Sequence, residues 1–305
     1  MSRARAVVFA YHDVGVRGLE VLRAGGVDVA LVVTHADQPG EEIWFASVAA
    51  RAHDAGIPVV TPDDPRDPGL LEQLQRIEPD FIFSFYYRKV LPMSLLRLAQ
   101  RGAFNLHGSL LPKYRGRAPV NWAVLHGETE TGATLHEMTE KLDAGAIVAQ
   151  TAVPILPDDT AREVFAKVVV AAEITLWRAL PGLLDGDSPR TPNRLAEGSY
   201  FGGRGPEDGR IDWHSPRDAV YNLVRAVAPP FPGAFCLLGD RRAVIEEARR
   251  ASGRFDELAP GLHIIGTTSP EIIGVCGDGS AIIVRRLRVD GRIMDAMNLR
   301  ELLSS

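Results

Sequence analysis

Short apolar runs alternate with amphipathic segments through the first part of the chain. Unbroken runs of this length are typical of strands buried on both faces, and they occupy residues 7–11, 29–34, 57–60 and 81–86. Helical periodicity fills the gaps between them, at residues 19–22, 44–55 and 70–77. The polar residues and glycine of segment 12–15 predict a turn before the first helix. This alternation predicts βαβ units that form a mostly parallel, Rossmann-like α/β sheet.

A long helix is predicted from the residues at its start. Thr160 and Glu163 have the spacing of a capping box, and apolar side chains then repeat at helical spacing from 165 to 180. Pro181 and Gly186 predict its end, because proline and glycine disfavour a continued helix. The following segment, residues 188–209, is rich in proline, glycine and arginine, and we interpret it as a linker.

The last third of the chain has a different pattern. Short β-like runs separated by glycines occur at residues 233–238, 243–245, 261–265, 272–275 and 281–284. Their close spacing predicts a smaller β-barrel of the OB type. We therefore expect a catalytic domain over residues 1–203 and an OB-like β domain over residues 204–305.

Charge narrows the classes of partner. The chain has 305 residues with 34 Lys and Arg against 39 Asp and Glu, a net charge of −5. That balance excludes a sequence-wide attraction to nucleic acid or to an anionic membrane, although a local basic patch stays possible. Residues 201–305 contain 14 basic and 14 acidic side chains, so the second predicted domain is neutral.

Cysteine usage and the N-terminal segment bear on the cell compartment. Cys236 and Cys276 are too few for a disulfide framework and are expected to be buried thiols. No His, Cys or Asp cluster has metal-ligand spacing, so we expect no metal. The first apolar run ends at His12, too early for a signal peptide or a membrane span. We therefore expect a cytoplasmic protein without a membrane partner.

The densest polar constellation covers residues 104–119. If residues 103–107 form a strand, Asn105 and His107 project from the same face at its carboxyl end, where open α/β sheets bind ligands. Such a pair alone is more often structural, but the basic, glycine-containing loop that follows favours a functional site. The motifs Gly-x-Gly-x-x-Gly and Gly-x-x-x-x-Gly-Lys are both absent, so neither NAD nor ATP is expected.

Residues 104–119, together with Asp143-Ala144-Gly145, resemble the 10-formyltetrahydrofolate-dependent formyltransferases. The supporting stretches cover nearly the whole chain and weaken toward its C-terminal end: 8–13, 83–88, 127–132, 143–150, 224–228 and 232–235. Within the family, the similarity is greatest to the formyltransferase domain of the bifunctional polymyxin-resistance enzyme, which formylates UDP-4-amino-4-deoxy-L-arabinose. The resemblance thus implies a sugar-nucleotide substrate, 10-formyltetrahydrofolate as co-substrate, and a role in lipid A modification and polymyxin resistance.

Two alternatives stay open at this point. Methionyl-tRNA formyltransferase shares the catalytic residues and the two-domain plan, and an inactive folate- or nucleotide-binding protein is a hypothesis from another class. The neutral second domain favours a small sugar nucleotide over tRNA, since phosphate contacts dominate nucleic-acid affinity. The complete set of catalytic residues disfavours an inactive protein. The oligomeric state is not indicated by the sequence.

The resemblance also implies roles for individual residues. Asn105 would stabilise the oxyanion, His107 would move a proton from the attacking amine to the folate nitrogen, and Asp143 would orient His107. The expected folate contacts are the backbone of Lys89, Val90 and Leu91, the opposite wall formed by Thr139, Glu140, Lys141, Leu142 and Asp143, and Arg117. The expected contacts to the sugar nucleotide are Lys113, Arg115, Arg204 and Arg225.

The remaining histidines give weaker signals. His12 follows the first predicted strand and is a lesser candidate for the edge of the active cleft. We interpret His126, His136, His214 and His263 as surface groups or as core groups with satisfied hydrogen bonds.

Overall fold

The computed structural model describes residues 3–37, 40 and 42–304. Contacts divide the chain into two compact units, each assembled from several segments. The first unit comprises Met1–Pro119, Thr131–Val153 and Ala166–Phe201. The second unit comprises Val120–Glu130, Pro154–Phe165 and Gly202–Ser305. The predicted division at 203/204 stays a prediction.

The strands and helices are numbered in chain order. The strands are β1 (Arg5–Ala10), β2 (Asp28–Val33), β3 (Val59–Val60), β4 (Phe81–Phe85), β5 (Gly102–His107), β6 (Arg115–Gly116), β7 (Glu130–Glu137), β8 (Ile147–Pro154), β9 (Tyr200–Phe201), β10 (Ala234–Leu238), β11 (Arg241–Arg250), β12 (Gly261–Ile265), β13 (Glu271–Val275), β14 (Ala281–Val289) and β15 (Arg292–Met294). The α-helices are α1 (His12–Ala24), α2 (Val48–Asp54), α3 (Pro68–Ile77), α4 (Met93–Leu96), α5 (Pro119–Leu125), α6 (Ala161–Asp185), α7 (Arg217–Ala226) and α8 (Ala296–Ser304). Short 3₁₀ helices span Leu195–Glu197 and Pro206–Gly209.

A seven-stranded sheet organises the first unit. Its strand order is β3-β2-β1-β4-β5-β7-β8, with β1 to β5 parallel where they pair and β7 antiparallel to β5. Apolar side chains of the predicted strands fill its interior, and the largest of them are fully buried: Phe9, Phe81, Phe83, Phe85 and Phe104. The carboxyl ends of β4 and β5 lie side by side, because these strands are parallel neighbours.

A curled antiparallel sheet organises the second unit. Its order is β10-β11-β14-β13-β12, and β15 pairs with β14. Its core contains the inward-facing residues of these strands together with Val220 and Val224 of α7. The mostly parallel α/β sheet and the separate antiparallel β unit confirm the predicted fold class.

Three helix boundaries differ from the prediction. Segment 12–15 forms the first turn of α1 rather than a separate turn, and α2 begins at Val48 rather than at residue 44. The predicted capping box is confirmed by the hydrogen bonds between Thr160 and Glu163. Helix α6 nevertheless continues through Pro181 to Asp185. The apolar face explains this continuation, since Leu180 and Leu183 are buried on either side of the proline.

The segment interpreted as a linker is partly built into the first unit. Strand β9 pairs with β6, and Thr191 exchanges backbone hydrogen bonds with Ile147. These pairings are too short to leave a periodic pattern in the sequence, which explains why composition alone suggested a linker. Strands β7 and β8 and helix α7 were likewise not predicted.

The cysteines and the helix lengths bear on the predicted cell compartment. Cys236 and Cys276 are free and buried, as predicted. Within the described part of the chain, every helix is too short or too polar to cross a membrane. The cytoplasmic localisation stays a prediction.

Candidate active site

Strand β5 places Asn105 and His107 on one face of the sheet. The intervening Leu106 and the preceding Phe104 are buried on the other side, as the two-residue period of a strand requires. His107 is 7% exposed, whereas Asn105 is partly exposed. The two polar side chains therefore point away from the apolar core, at the carboxyl end of a central strand.

The hydrogen bonds of His107 define its protonated nitrogen. Its Nε2 lies 2.8 Å from the carbonyl oxygen of Tyr114, and because a carbonyl only accepts, Nε2 carries the proton. Its Nδ1 lies 3.7 Å from Oδ1 of Asp143. The neutral ring thus has its lone pair on the nitrogen that faces the carboxylate.

Asp143 reaches the site from the loop between β7 and β8. Its φ of +49° lies in the left-handed region, which aspartate tolerates better than most residues. A Cβ at Gly145 would overlap the carbonyl oxygen of Glu137, so only glycine lets the loop fold back here. Asn193 donates from Nδ2 to the carbonyl oxygen of Asp143 at 3.0 Å and holds the loop from outside.

The carboxylate of Asp143 is surrounded by donors and histidines. Burial acts to raise its pKa, but the nearby rings of His107 and His136, together with the N–H of Gly116, outweigh burial. The Gly116 N–H donates to Oδ2 at 2.8 Å. The pKa of Asp143 is therefore held well below its usual range, so the group is an anion at neutral pH.

His136 is part of this cluster, and of its two interpretations, a surface group or a core group with satisfied hydrogen bonds, the second describes it. It lies on β7 directly opposite Asn105 and is 2% exposed. Its Nε2 is 3.1 Å from Nδ2 of Asn105 and 3.5 Å from Oδ1 of Asp143. Recognising β7 as a strand paired with β5 would have revealed this contact, but β7 mixes polar and apolar residues and lacks an unbroken apolar run.

The loop after β5 is held by buried hydroxyl groups. Thr134 donates from Oγ1 to the carbonyl oxygen of Ser109 at 2.6 Å, and it accepts from the Leu111 N–H and from Nε2 of Gln150. Ser199 accepts from the Tyr114 N–H at 2.8 Å. These contacts fix the carbonyl of Tyr114, on which His107 depends, and none of them was anticipated from the sequence.

Arg115 is the unusual cation of this loop. It is only 9% exposed, and its Nε is buried without a hydrogen-bond partner. Its guanidinium carbon lies over the ring of Tyr200, 6.0 Å from the ring centroid. Across residues 3–37, 40 and 42–304, no carboxylate forms an ion pair with Arg115. A buried charge of this kind is strongly unfavourable unless an anion joins it.

The other predicted contacts of the first unit are more exposed. Lys113 and Arg117 are exposed on the same loop as Arg115. Lys89 is exposed and donates to the carbonyl oxygen of Asp63, whereas Leu91 belongs to the apolar core. The other predicted folate contacts with exposed side chains are Val90, Glu140, Lys141 and Leu142. Thr139 caps its own loop by donating to the Lys141 carbonyl oxygen at 2.9 Å.

Arg204 and Arg225 belong to the second unit. Arg204 lies over the ring of Trp122 at 4.8 Å and donates to the carbonyl oxygen of Asp208. Arg225 is 5% exposed and donates to the Asp159 carbonyl oxygen. Burial lowers the pKa of both guanidinium groups. Arg225 thus has an evident structural task, and the predicted contact of either arginine with substrate stays a prediction.

His12 is buried at the carboxyl end of β1, among aromatic rings. It stacks on Phe45 with ring centroids 3.9 Å apart and makes an edge contact with Trp44. The described residues contain no group of three or more His, Cys, Asp or Glu side chains arranged to hold a metal ion.

The cluster combines groups suited to acyl transfer. Asn105 offers an amide N–H, His107 can take up and release a proton, and Asp143 supplies a permanent negative charge beside it. Arg115 adds an uncompensated positive charge one residue from the Gly116 N–H that holds Asp143.

Comparison with known structures finds similar folds over almost the whole chain. An N-formyltransferase from Helicobacter canadensis, solved with folinic acid and dTDP-3-aminofucose, is 18% identical, with a TM-score of 0.72 over 92% of this chain and 98% of that chain. WlaRD, a sugar 3N-formyl transferase solved with dTDP and 5-N-formyl-THF, is 19% identical, with a TM-score of 0.71 over 96% of this chain and all of that chain. HypX from Aquifex aeolicus, in complex with tetrahydrofolic acid, is 19% identical, with a TM-score of 0.67 over 99% of this chain and 48% of that chain.

Family models give the stronger assignment, because these structures share the fold at low identity. The formyl transferase model matches residues 6–180, and the model of the formyl transferase C-terminal domain matches residues 205–303. The first match alone spans more than half of the chain. The chain therefore belongs to the formyl transferase family, and the prediction that it is a formyltransferase enzyme is confirmed.

Proposed function

We propose that this enzyme transfers the formyl group of 10-formyltetrahydrofolate to the amino group of a sugar carried by a nucleoside diphosphate. UDP-4-amino-4-deoxy-L-arabinose, the acceptor implied by the sequence resemblance, is the specific substrate that we propose. One observation supports an anionic acceptor. The guanidinium of Arg115 is buried and has no carboxylate partner, and it lies beside the cluster of Asn105, His107 and Asp143.

A diphosphate satisfies the chemistry of Arg115. The planar guanidinium donates two parallel hydrogen bonds to a phosphate, and such charge-assisted bonds are stronger than neutral ones. Because Arg115 is 9% exposed, it suits one compact anionic group rather than an extended polyanion. Two of the similar structures were solved with dTDP or a dTDP-linked amino sugar, which supports the same class of acceptor.

The second unit does not favour tRNA as the acceptor. A tRNA-binding surface requires arginines whose charge is not neutralised by neighbouring carboxylates. Most arginines of the antiparallel sheet are instead ion-paired: Arg241 with Asp290, Arg242 with Glu207, Arg250 with Asp158 and Asp218, Arg285 with Glu271, and both Arg286 and Arg288 with Glu246. The complete polar cluster of the first unit likewise disfavours an inactive binding protein.

In the proposed reaction, the sugar amine attacks the formyl carbon, and the bond from that carbon to the folate nitrogen breaks. One proton passes from the amine to the folate nitrogen, so the products are the formamide and tetrahydrofolate. Asn105 donates its amide N–H to the oxygen on which negative charge develops. His107 takes the proton at Nδ1, because Nε2 is held by the Tyr114 carbonyl, and Asp143 stabilises the imidazolium.

Two loops of the first unit fit the folate co-substrate. Val90 is 51% exposed and Leu142 is 41% exposed, so both expected walls of the pterin site present apolar surface that a flat ring can cover. Lys89 and Arg117 add exposed cations for the carboxylates of the folate's glutamate tail.

We also propose that residues 1–203 form the catalytic domain and that residues 204–305 form the OB-like domain.

A substrate panel tests this proposal. The purified protein is incubated with 10-formyltetrahydrofolate and, separately, with UDP-4-amino-4-deoxy-L-arabinose, dTDP-linked 3-amino and 4-amino sugars, and methionyl initiator tRNA. Mass spectrometry detects the formamide, and absorbance follows the release of tetrahydrofolate. We expect the highest kcat/KM for the UDP-linked 4-amino sugar, in keeping with lipid A modification and polymyxin resistance.

The other outcomes of the substrate panel would overturn the proposed acceptor in part or in whole. A preference for a dTDP-linked sugar would overturn the nucleotide and retain the class of acceptor. Efficient formylation of tRNA without turnover of any amino sugar would overturn the whole acceptor assignment. An Arg115→Met variant adds a second test, since we expect its KM for every diphosphate-linked acceptor to rise about 10- to 100-fold.

A further inference from the structure

We propose that His136 is a positioning residue that fixes the orientation of the Asn105 amide. The inference deepens the proposed function, since it concerns how the same cluster presents a hydrogen-bond donor to the developing oxyanion. It stands on the geometry of His136, Asn105 and Glu137, and none of these contacts depends on the identity of the acceptor.

The register of the sheet places the two side chains together. Asn105 on β5 and His136 on β7 are directly paired across antiparallel strands. At such a pair the side chains project from the same face and approach closely. His136 is 2% exposed, so water is not available to exchange with its ring nitrogens. Its polar contacts must come from the protein.

The tautomer of neutral His136 follows from its second contact. Its Nδ1 lies 2.8 Å from the carbonyl oxygen of Glu137, which can only accept a hydrogen bond. Nδ1 therefore carries the proton, and Nε2 presents a lone pair. That lone pair lies 3.1 Å from Nδ2 of Asn105 and accepts one of its two amide hydrogens.

This arrangement selects one of the two orientations of the amide. With the amide reversed, Oδ1 of Asn105 would face the lone pair of Nε2, and two acceptors would be opposed in a buried site. The second hydrogen on Nδ2 of Asn105 is then left for the substrate oxygen.

Fixing the Asn105 amide should affect stabilisation of the transition state more than binding of the substrates. Preorganised donors contribute most when they need not reorient as charge develops. If His136 no longer accepts, the Asn105 amide can rotate, and its donor is correctly placed only part of the time. We therefore expect changes at His136 to lower kcat and to leave KM for both substrates nearly unchanged.

Two substitutions separate positioning from packing. His136→Phe keeps a ring of similar size without an acceptor, and we expect kcat to fall about 10- to 100-fold. His136→Gln carries an oxygen that can reach the position of Nε2, and we expect kcat within about threefold of the wild type. His53→Gln, at an exposed histidine of α2, is the matched control and should leave both constants unchanged.

A double variant shows whether His136 acts through Asn105. If it does, adding His136→Phe to Asn105→Ala should lower kcat little beyond the loss caused by Asn105→Ala alone. Fully additive losses would mean that His136 acts independently of Asn105. Such additivity, or wild-type kcat in a folded His136→Phe variant, would overturn the proposal.

Nitrogen NMR of histidine-labelled wild-type protein gives a test without any substrate. We expect His136 to be protonated at Nδ1 in its neutral form, whereas His107 should carry its proton at Nε2. A neutral His136 protonated at Nε2 would overturn the positioning role even if the proposed acceptor is correct. Conversely, the expected tautomer together with no turnover of amino sugars would overturn only the proposed function.

Discussion

The two units of this enzyme differ in where they bury polar side chains. Among the described residues, the buried polar or charged side chains lie in the first unit with one exception, Arg225. Arg225 is bonded to Asn222 and to the Asp159 carbonyl oxygen, so its charge is solvated by protein groups. Arg115 of the first unit has no such acceptor for its Nε. The second unit therefore satisfies its one fully buried arginine internally, whereas the first unit does not. The less buried Arg204 of the second unit also has an Nε without a hydrogen-bond partner.

Backbone strain follows the same division. Five residues other than glycine adopt a positive φ in the strand ends and loops around the candidate site: His12, Tyr86, Tyr114, Ala118 and Asp143. In the second unit only Asp290 does so within the described part, at the turn that it shares with Gly291. Unfavourable backbone conformations of this kind cluster at active sites, where the surrounding structure holds them. These positive-φ residues favour the first unit as the place of the chemistry.

The largest effect that the comparison predicts is loss of turnover after changes at the candidate site. Asn105→Ala and His107→Ala should each lower kcat by at least about 10²-fold, since a positioned donor and a proton carrier are removed. Folate binding should be nearly unchanged. Steady-state kinetics and equilibrium binding of folate measure the two quantities.

A histidine of the second unit provides the control for these variants. His214 is exposed, with 84% of its side chain accessible, and His214→Ala should keep wild-type turnover. Wild-type kcat in a folded His107→Ala variant would place the proton transfer elsewhere.

The next effect contrasts two arginines. Arg115→Met should raise KM for the acceptor about 10- to 100-fold, because bonds between charged groups and phosphate are lost. The free energy of unfolding should stay equal or increase, because a buried charge without a partner is removed. Kinetics and urea unfolding of the same variant measure both.

Arg250→Met in the second unit should behave in the opposite way. Arg250 is paired with Asp158 and Asp218, so the variant should lose stability and keep the wild-type KM. If Arg115→Met lost stability at constant KM, Arg115 would be a structural residue like Arg225.

The third effect depends on pH through Asp143. Because its pKa is lowered in the folded protein, the charged form stabilises the fold above the pKa of the unfolded chain, about 3.9. This contribution is lost as the pH falls toward the folded value. Asp143→Asn lacks it at every pH, so the difference in unfolding free energy from the wild type should be largest near neutrality and shrink below about pH 5. Urea unfolding at several pH values measures the difference, and a constant difference would contradict the assigned charge.

The same contrast shows how much of the site the sequence could predict. Unbroken apolar runs located β1, β2 and β4, because strands buried on both faces carry a strong local signal. The two-residue period of β5 was enough to place Asn105 beside His107. Asp143 was assigned only through the family resemblance, since its contact spans 36 residues and no local pattern encodes it.

The residues that were missed have physical features in common. His136, Asn193 and Ser199 act through contacts to distant parts of the chain, and their own segments are polar, glycine-rich or short. Local propensity describes a segment and its solvent, whereas these roles arise only when the sheet is assembled. The continuation of α6 through Pro181 has the same origin, because burial of Leu183 outweighs the local preference of proline.

The smallest effect tests a hydroxyl of the second unit. Thr160 accepts from the Glu163 N–H at the start of α6, and Thr160→Ala should lower the unfolding free energy by about 1 kcal/mol. Turnover should be unchanged, because this cap is remote in sequence and in contacts from the Asn105 cluster. Thr134→Val in the first unit removes a fully buried hydroxyl that holds the Ser109 loop, so it should reduce both stability and kcat. Thermal unfolding and kinetics of the two variants provide the comparison. If Thr160→Ala reduced kcat as much as Thr134→Val, the separation of structural and catalytic roles between the units would be wrong.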